Sequence, residues 1–176
     1  MDKQSNIKIA WKGLSEGLHQ FEYEIGTRFF AEIEYSELAE GEIDVTIELI
    51  KKQQLMSLNI IITGFVIVPC DRCLEPFEQD IDFETDLIIK VGSETSELDD
   101  NIISIAENED EINLTHYIYE SIVLSLPYKK IHPDDEDGNS TCNNDMLNKL
   151  GMNKKQKKDK SIDPRWEALK NLKKDS

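Results

Sequence analysis

Between residues 7 and 91 apolar and polar side chains alternate with a period of two, a pattern that a helix cannot bury and a sheet can. Glu42-Ile43-Asp44-Val45-Thr46-Ile47-Glu48-Leu49 is the clearest run, with every second residue β-branched or Leu. The same alternation marks Ile7 to Trp11, His19 to Ile25 and Ile81 to Val91. Leu55 to Val68 is apolar almost throughout and is interrupted at Gly64, where a bulge or bend is expected. Thr27 to Phe30 suggests a short helical turn. The connections are too short for βαβ crossovers, so antiparallel pairing is expected.

The period changes after an acidic stretch, Ser93 to Asp110, which reads as a loop. Asn113 can cap a helix whose apolar positions Leu114, Tyr117, Ile118, Ile122 and Val123 follow helical spacing, and Pro127 ends it. From Asp134 to Ser161 the chain is polar and aperiodic, the composition of a flexible segment. Asp163-Pro164 then starts a short helical pattern that sets Trp166, Leu169 and Leu172 on one face. The expected class is α+β: an antiparallel twisted β-sheet with one packing helix and a flexible basic C-terminal tail. The expected division is a β-rich domain over 1–133 and a mostly flexible tail over 134–176, ending in a helix that would dock on the body or on a partner.

Charge divides the chain in two. Residues 1–148 hold 10 Lys/Arg against 32 Asp/Glu, whereas 149–176 hold 10 against 4. An acidic body repels phosphate, so any RNA contact is expected to start at the tail, in the cluster Lys154, Lys155, Lys157, Lys158 and Lys160. No apolar run is long enough for a membrane span or shaped like a signal peptide. A cytoplasmic protein without a membrane partner is therefore expected. Three cysteines, Cys70, Cys73 and Cys142, fit a reducing compartment better than a disulfide framework.

Pro69-Cys70-Asp71-Arg72-Cys73-Leu74-Glu75-Pro76 carries the most chemistry. Two thiolates spaced C-x-x-C on a turn between strands can take neighbouring corners of a metal tetrahedron, and His132 and Cys142 could complete it. On spacing alone, a packed pair of reduced thiols competes with that reading. A redox motif would place its first Cys at a helix N-terminus, and Pro76 disfavours a helix there. The chain has no G-x-x-x-x-G-K-[ST], G-x-G-x-x-G or G-x-S-x-G motif, and its carboxylates follow exposed strand faces. His19 and His116 read as surface or boundary residues, and Phe21, Tyr23, Phe29 and Phe30 read as core. No enzymatic activity and no small-molecule substrate are expected.

Taken in order, several pieces form a known pattern. They are Gly64 and Val66 to Pro69, then Cys70-x-Arg72-Cys73-Leu74-x-Pro76-Phe77, a helix with Glu120, Leu126-Pro127, His132, Cys142, and the tail from Pro164 to Lys173. In this the chain resembles the YceD-like family, named for accumulation of large-subunit ribosomal RNA. The resemblance implies a non-enzymatic role in 23S ribosomal RNA levels and large-subunit assembly, with 23S rRNA or its precursor and ribosomal proteins or assembly factors as partners. It implies a shared Cys70, Cys73, His132 and Cys142 site, with zinc the metal that suits those ligands. Arg72, Arg165, Trp166 and Leu169 are expected to contact a partner. Arg72 is expected to pair with acidic neighbours and fix its turn. The alternatives are a zinc-binding structural module with no RNA role and a thiol-redox protein.

Overall fold

A computed structural model describes residues 5–151. Six strands form one sheet in the order β2-β3-β4-β5-β7-β6. They are β2 (Gly17–Ile25), β3 (Gly41–Lys52), β4 (Leu55–Pro69), β5 (Pro76–Gly92), β6 (Ser96–Asp99) and β7 (Ile102–Ala106). A separate two-stranded ribbon pairs β1 (Lys8–Ile9) with β8 (Ile112–Asn113). The helices are α1 (Thr27–Glu32), α2 (Thr115–Ser125) and α3 (Asn144–Lys149).

The alternation read from the sequence is the alternation of burial. In β3, Ile43, Val45, Ile47 and Leu49 are buried while Glu42, Asp44 and Glu48 face solvent. The inner face continues through Met56, Leu58, Ile60 and Ile62 of β4 and Leu87 and Ile89 of β5. Phe29 and Phe30 of α1 and Ile118 and Ile122 of α2 join the same buried cluster. Leu126, extended before Pro127, ends α2.

Three local expectations change. The acidic stretch from Ser93 to Asp110 holds β6 and β7, and β7 adds to β5 in parallel. Its apolar residues, Ile102 to Ala106, are one short patch, too few to show a period inside an acidic context. Asn113 lies one residue before the N-cap, Leu114, and its Oδ1 accepts the Thr115 N–H at 3.1 Å. The stretch from Asp134 also carries structure over its described part: a bridge between Asp134 and Ser140, then α3. The packing partners of these residues lie far off in sequence, so no local period announces them. Residues 152–176, with the Lys154–Lys160 cluster and the Asp163–Leu172 pattern, lie outside the described residues.

Gly64 is a point of close approach and not a bulge, because pairing runs unbroken through Ile43, Gly64 and Ile81. Its φ is +137°, and a Cβ built there would lie 2.2 Å from the Glu42 carbonyl oxygen. Gly64→Ala is therefore expected to cost about 3 kcal/mol, from left-handed strain and displaced β3 backbone. A urea midpoint unchanged from wild type would contradict the close approach.

Candidate metal centre

β4 and β5 form the longest hairpin in the sheet, paired from Leu55–Lys90 to Pro69–Pro76. A proline ends each strand at the tip, and proline has no N–H to extend the ladder. The six residues Cys70 to Glu75 turn the chain instead. Cys70 N–H donates to the Glu75 carbonyl and Leu74 N–H to the Cys70 carbonyl, both at 2.9 Å. Leu74 takes the left-handed conformation (φ 62°) that closes the turn. The turn points both thiols inward, and Cys70 and Cys73 are fully buried.

The remaining two residues arrive on the chain that leaves α2. Lys130 is stapled to the turn: Asp71 N–H donates to its carbonyl at 2.7 Å, and its own N–H donates to the Asp71 carboxylate at 2.8 Å. That fixes His132 two residues later, its ring tilted over Phe77 with centroids 4.8 Å apart. The nine residues between His132 and Cys142 form a closed loop. The Asp135 carboxylate accepts the N–H groups of Asp137 and Asn139, and Thr141 Oγ1 donates to the Pro133 carbonyl at 2.6 Å. The backbone donor from Asn139, opposed by slight desolvation and aided by its side chain and the Asp137 N–H, holds the Asp135 carboxyl below its usual range. The loop's extra length is thereby absorbed, and Cys142 returns to the tip.

All four ligand atoms lie within 4.8 Å of one another. Cys70 Sγ and Cys142 Sγ are 3.8 Å apart, and His132 Nδ1 lies 3.4 Å from Cys73 Sγ and 3.8 Å from Cys142 Sγ. A tetrahedron with metal–sulfur bonds of about 2.3 Å and metal–nitrogen bonds of about 2.0 Å has S–S edges of about 3.8 Å and S–N edges of about 3.5 Å. The Cys70–Cys142 and Cys73–His132 separations match those edges, and the Cys142–His132 separation is about 0.3 Å longer. A disulfide needs about 2.05 Å between sulfurs, so the thiols are free. Burial pushes the Cys70 thiol up, but the N–H groups of Cys73, His132 and Arg72 and the His132 ring outweigh it and hold it down at about 6. Burial and the neighbouring thiols of Cys70 and Cys73 push Cys142 up, against the Ser140 hydroxyl. Of the two thiols, Cys70 is thus the readier to give up its proton to a cation.

Three supports escaped the sequence reading. Leu147 of α3 is buried on the cluster, with Phe77, Ile131 and Met146 beside it. Asn143 caps α3 by accepting from Asp145 and Met146, and its amide donates to Glu75 at 2.6 Å, tying the helix to the turn. A capping residue beside Cys142 was the available signal, in a helix too short to show a period. Arg72, in contrast, is exposed and makes no salt bridge with a described residue. The Asp71 carboxylate and backbone bonds fix the turn in its place. Arg165, Trp166, Leu169 and the five tail lysines lie outside the described residues.

A family model described as "Large ribosomal RNA subunit accumulation protein YceD" matches residues 58–173. The chain belongs to the YceD family. The match covers β4 from Leu58, the hairpin tip, α2 and all four clustered residues of this YceD protein. The family description names accumulation of a ribosomal RNA subunit and no reaction. No curated protein and no solved structure shows significant similarity to the chain. No helix among the described residues is long and apolar enough to cross a membrane.

Asn143→Ala removes both the α3 cap and the tie to Glu75. The α3 amides are expected to exchange roughly fivefold faster, equivalent to about 1 kcal/mol, with β4 and β5 unaffected. Unchanged α3 exchange would show that the cap does not hold α3 on the cluster.

Proposed function

We propose that this protein is a non-enzymatic, cytoplasmic ribosome-biogenesis factor that supports processing, stability or accumulation of 23S rRNA in large-subunit assembly. The match to the YceD family across the hairpin tip and the cluster carries this reading. Cys70, Cys73, His132 and Cys142 hold a structural zinc ion, because four soft, mostly buried ligands leave no open corner for substrate. The depressed Cys70 thiol then belongs to a ligand. Full burial in a hairpin turn gives it no access to serve as a redox nucleophile.

Partner contacts divide by charge. The outer face of the sheet presents Glu42, Asp44 and Glu48 of β3 and, on the far side of β4, Asp80, Asp82 and Glu84 of β5, and Glu24 of β2 stands directly opposite Asp44. Like charges facing across strands destabilise the sheet, and a basic ribosomal protein or assembly factor seated there would relieve them. The lysines at 154, 155, 157, 158 and 160 contact phosphates of 23S rRNA or its precursor. Arg72, exposed at the hairpin tip, is a further contact.

The reading is tested by the ratio of 23S to 16S rRNA, with precursor ends mapped, in cells depleted of the protein. The ratio is expected to fall and to recover with the wild-type chain. It should not recover with Cys70→Ser or with the five tail lysines changed to Ala. An unchanged ratio with normal precursor ends contradicts the function, rescue by Cys70→Ser contradicts the zinc centre's part in it, and rescue by the lysine variant contradicts the phosphate contacts.

A further inference from the structure

A groove of about 780 Å³ opens between α2 and the β6–β7 edge of the sheet and shares no residue with the cysteine cluster. Phe83, Ile103 and Tyr117 line it, and Leu98 and Leu124 stand on its walls 56% and 80% exposed. Glu97, Asp99, Asp100 and Glu120 also line it, with no lysine or arginine. Two exposed leucines lining one groove with Phe83, Ile103 and Tyr117 make an apolar patch of the kind that marks an interaction site. The occupant must offer an apolar stripe flanked by cations.

The chain carries such a segment. From Pro164 to Lys174, Trp166, Leu169 and Leu172 recur at three-residue spacing, a stripe about 120° wide on a helix. Arg165, Lys170, Lys173 and Lys174 accompany them, against the single carboxylate Glu167. We propose that the groove between α2 and β6–β7 is the docking site of the chain's own Pro164–Lys174 segment, with Trp166 and Leu169 against Leu98 and Leu124 and the cations toward the carboxylates.

Reach and affinity both favour docking in cis. Residues 152–163 separate the segment from Gly151, and at about 3.4 Å each they extend about 40 Å. A domain of this size has a radius of gyration of about 15 Å, so the tether spans it. A helix this short is marginal alone, but tethering raises its effective concentration at the groove to about the millimolar range. Docking would also hold the lysines at 154–160 as a strap fixed at both ends. The inference does not rest on the ribosomal reading, and its test contains no RNA.

Hydrogen exchange of the purified full-length chain tests it. Amides of 165–172 are expected to exchange at least tenfold slower than an unstructured segment. Leu124→Asp, at an exposed position of α2, should abolish that protection while leaving exchange of the β4 and β5 amides unchanged. It should also speed exchange over 96–103. Unprotected amides in the wild type overturn the proposal. So does protection that survives Leu124→Asp, which would put the segment elsewhere, for example on the acidic sheet face. Protection that grows with protein concentration overturns docking in cis in favour of a second copy.

Discussion

The β4–β5 ladder is the constraint on which the rest depends. Its fifteen antiparallel pairs run from one end of the sheet to the other. They carry the core on one face and an acidic surface on the other, and they present Cys70 and Cys73 at a tip closed by two prolines. Everything after α2 is arranged around that tip. Lys130 bonds to Asp71, His132 leans on Phe77, and Cys142 delivers α3 and Leu147 onto the two thiols. The second buried cluster is too small to order this segment by area alone. Its four apolar members, three of them cysteines, bury little surface against the entropy of a loop running from Lys130 to Leu150. Coordination by a metal would supply the missing stabilisation, as it does in small metal-dependent units whose folding and binding are one equilibrium.

The sequence disclosed the parts of this architecture that repeat locally. A period of two over β2, β3, β4 and β5 is both a sequence pattern and a burial pattern, so Ile43 to Leu49 and Met56 to Ile62 were legible as core. The α2 stripe was legible for the same reason. What local pattern could not show was which distant residues meet. β7 is five residues long and pairs directly and in parallel with β5, while β6, which separates them in sequence, pairs on the far edge of β7, and nothing nearby encodes that choice. Gly64 was legible as an interruption, but its purpose depends on the Glu42 carbonyl of the neighbouring strand.

The cluster of Cys70, Cys73, His132 and Cys142 shows the same limit from the side of chemistry. The C-x-x-C pair could be read from its spacing, and residue type allowed His132 and Cys142 as partners. Spacing gave no measure of whether a nine-residue acidic loop could close, since its closure depends on Asp135 turning inward to its own backbone. Arg72 misled for a related reason. A cation between acidic neighbours suggests an ion pair, yet the acidic neighbour that matters, Asp71, is already engaged by the Lys130 backbone. The turn therefore has no need of the guanidinium, which is left exposed beside the centre.

X-ray absorption at the zinc edge, on the full-length chain purified under reducing conditions, tests the central claim most directly. The account predicts one zinc per chain with three sulfur neighbours at about 2.3 Å and one nitrogen at about 2.0 Å. A folded chain without metal, or a shell of oxygen and nitrogen alone, would contradict it.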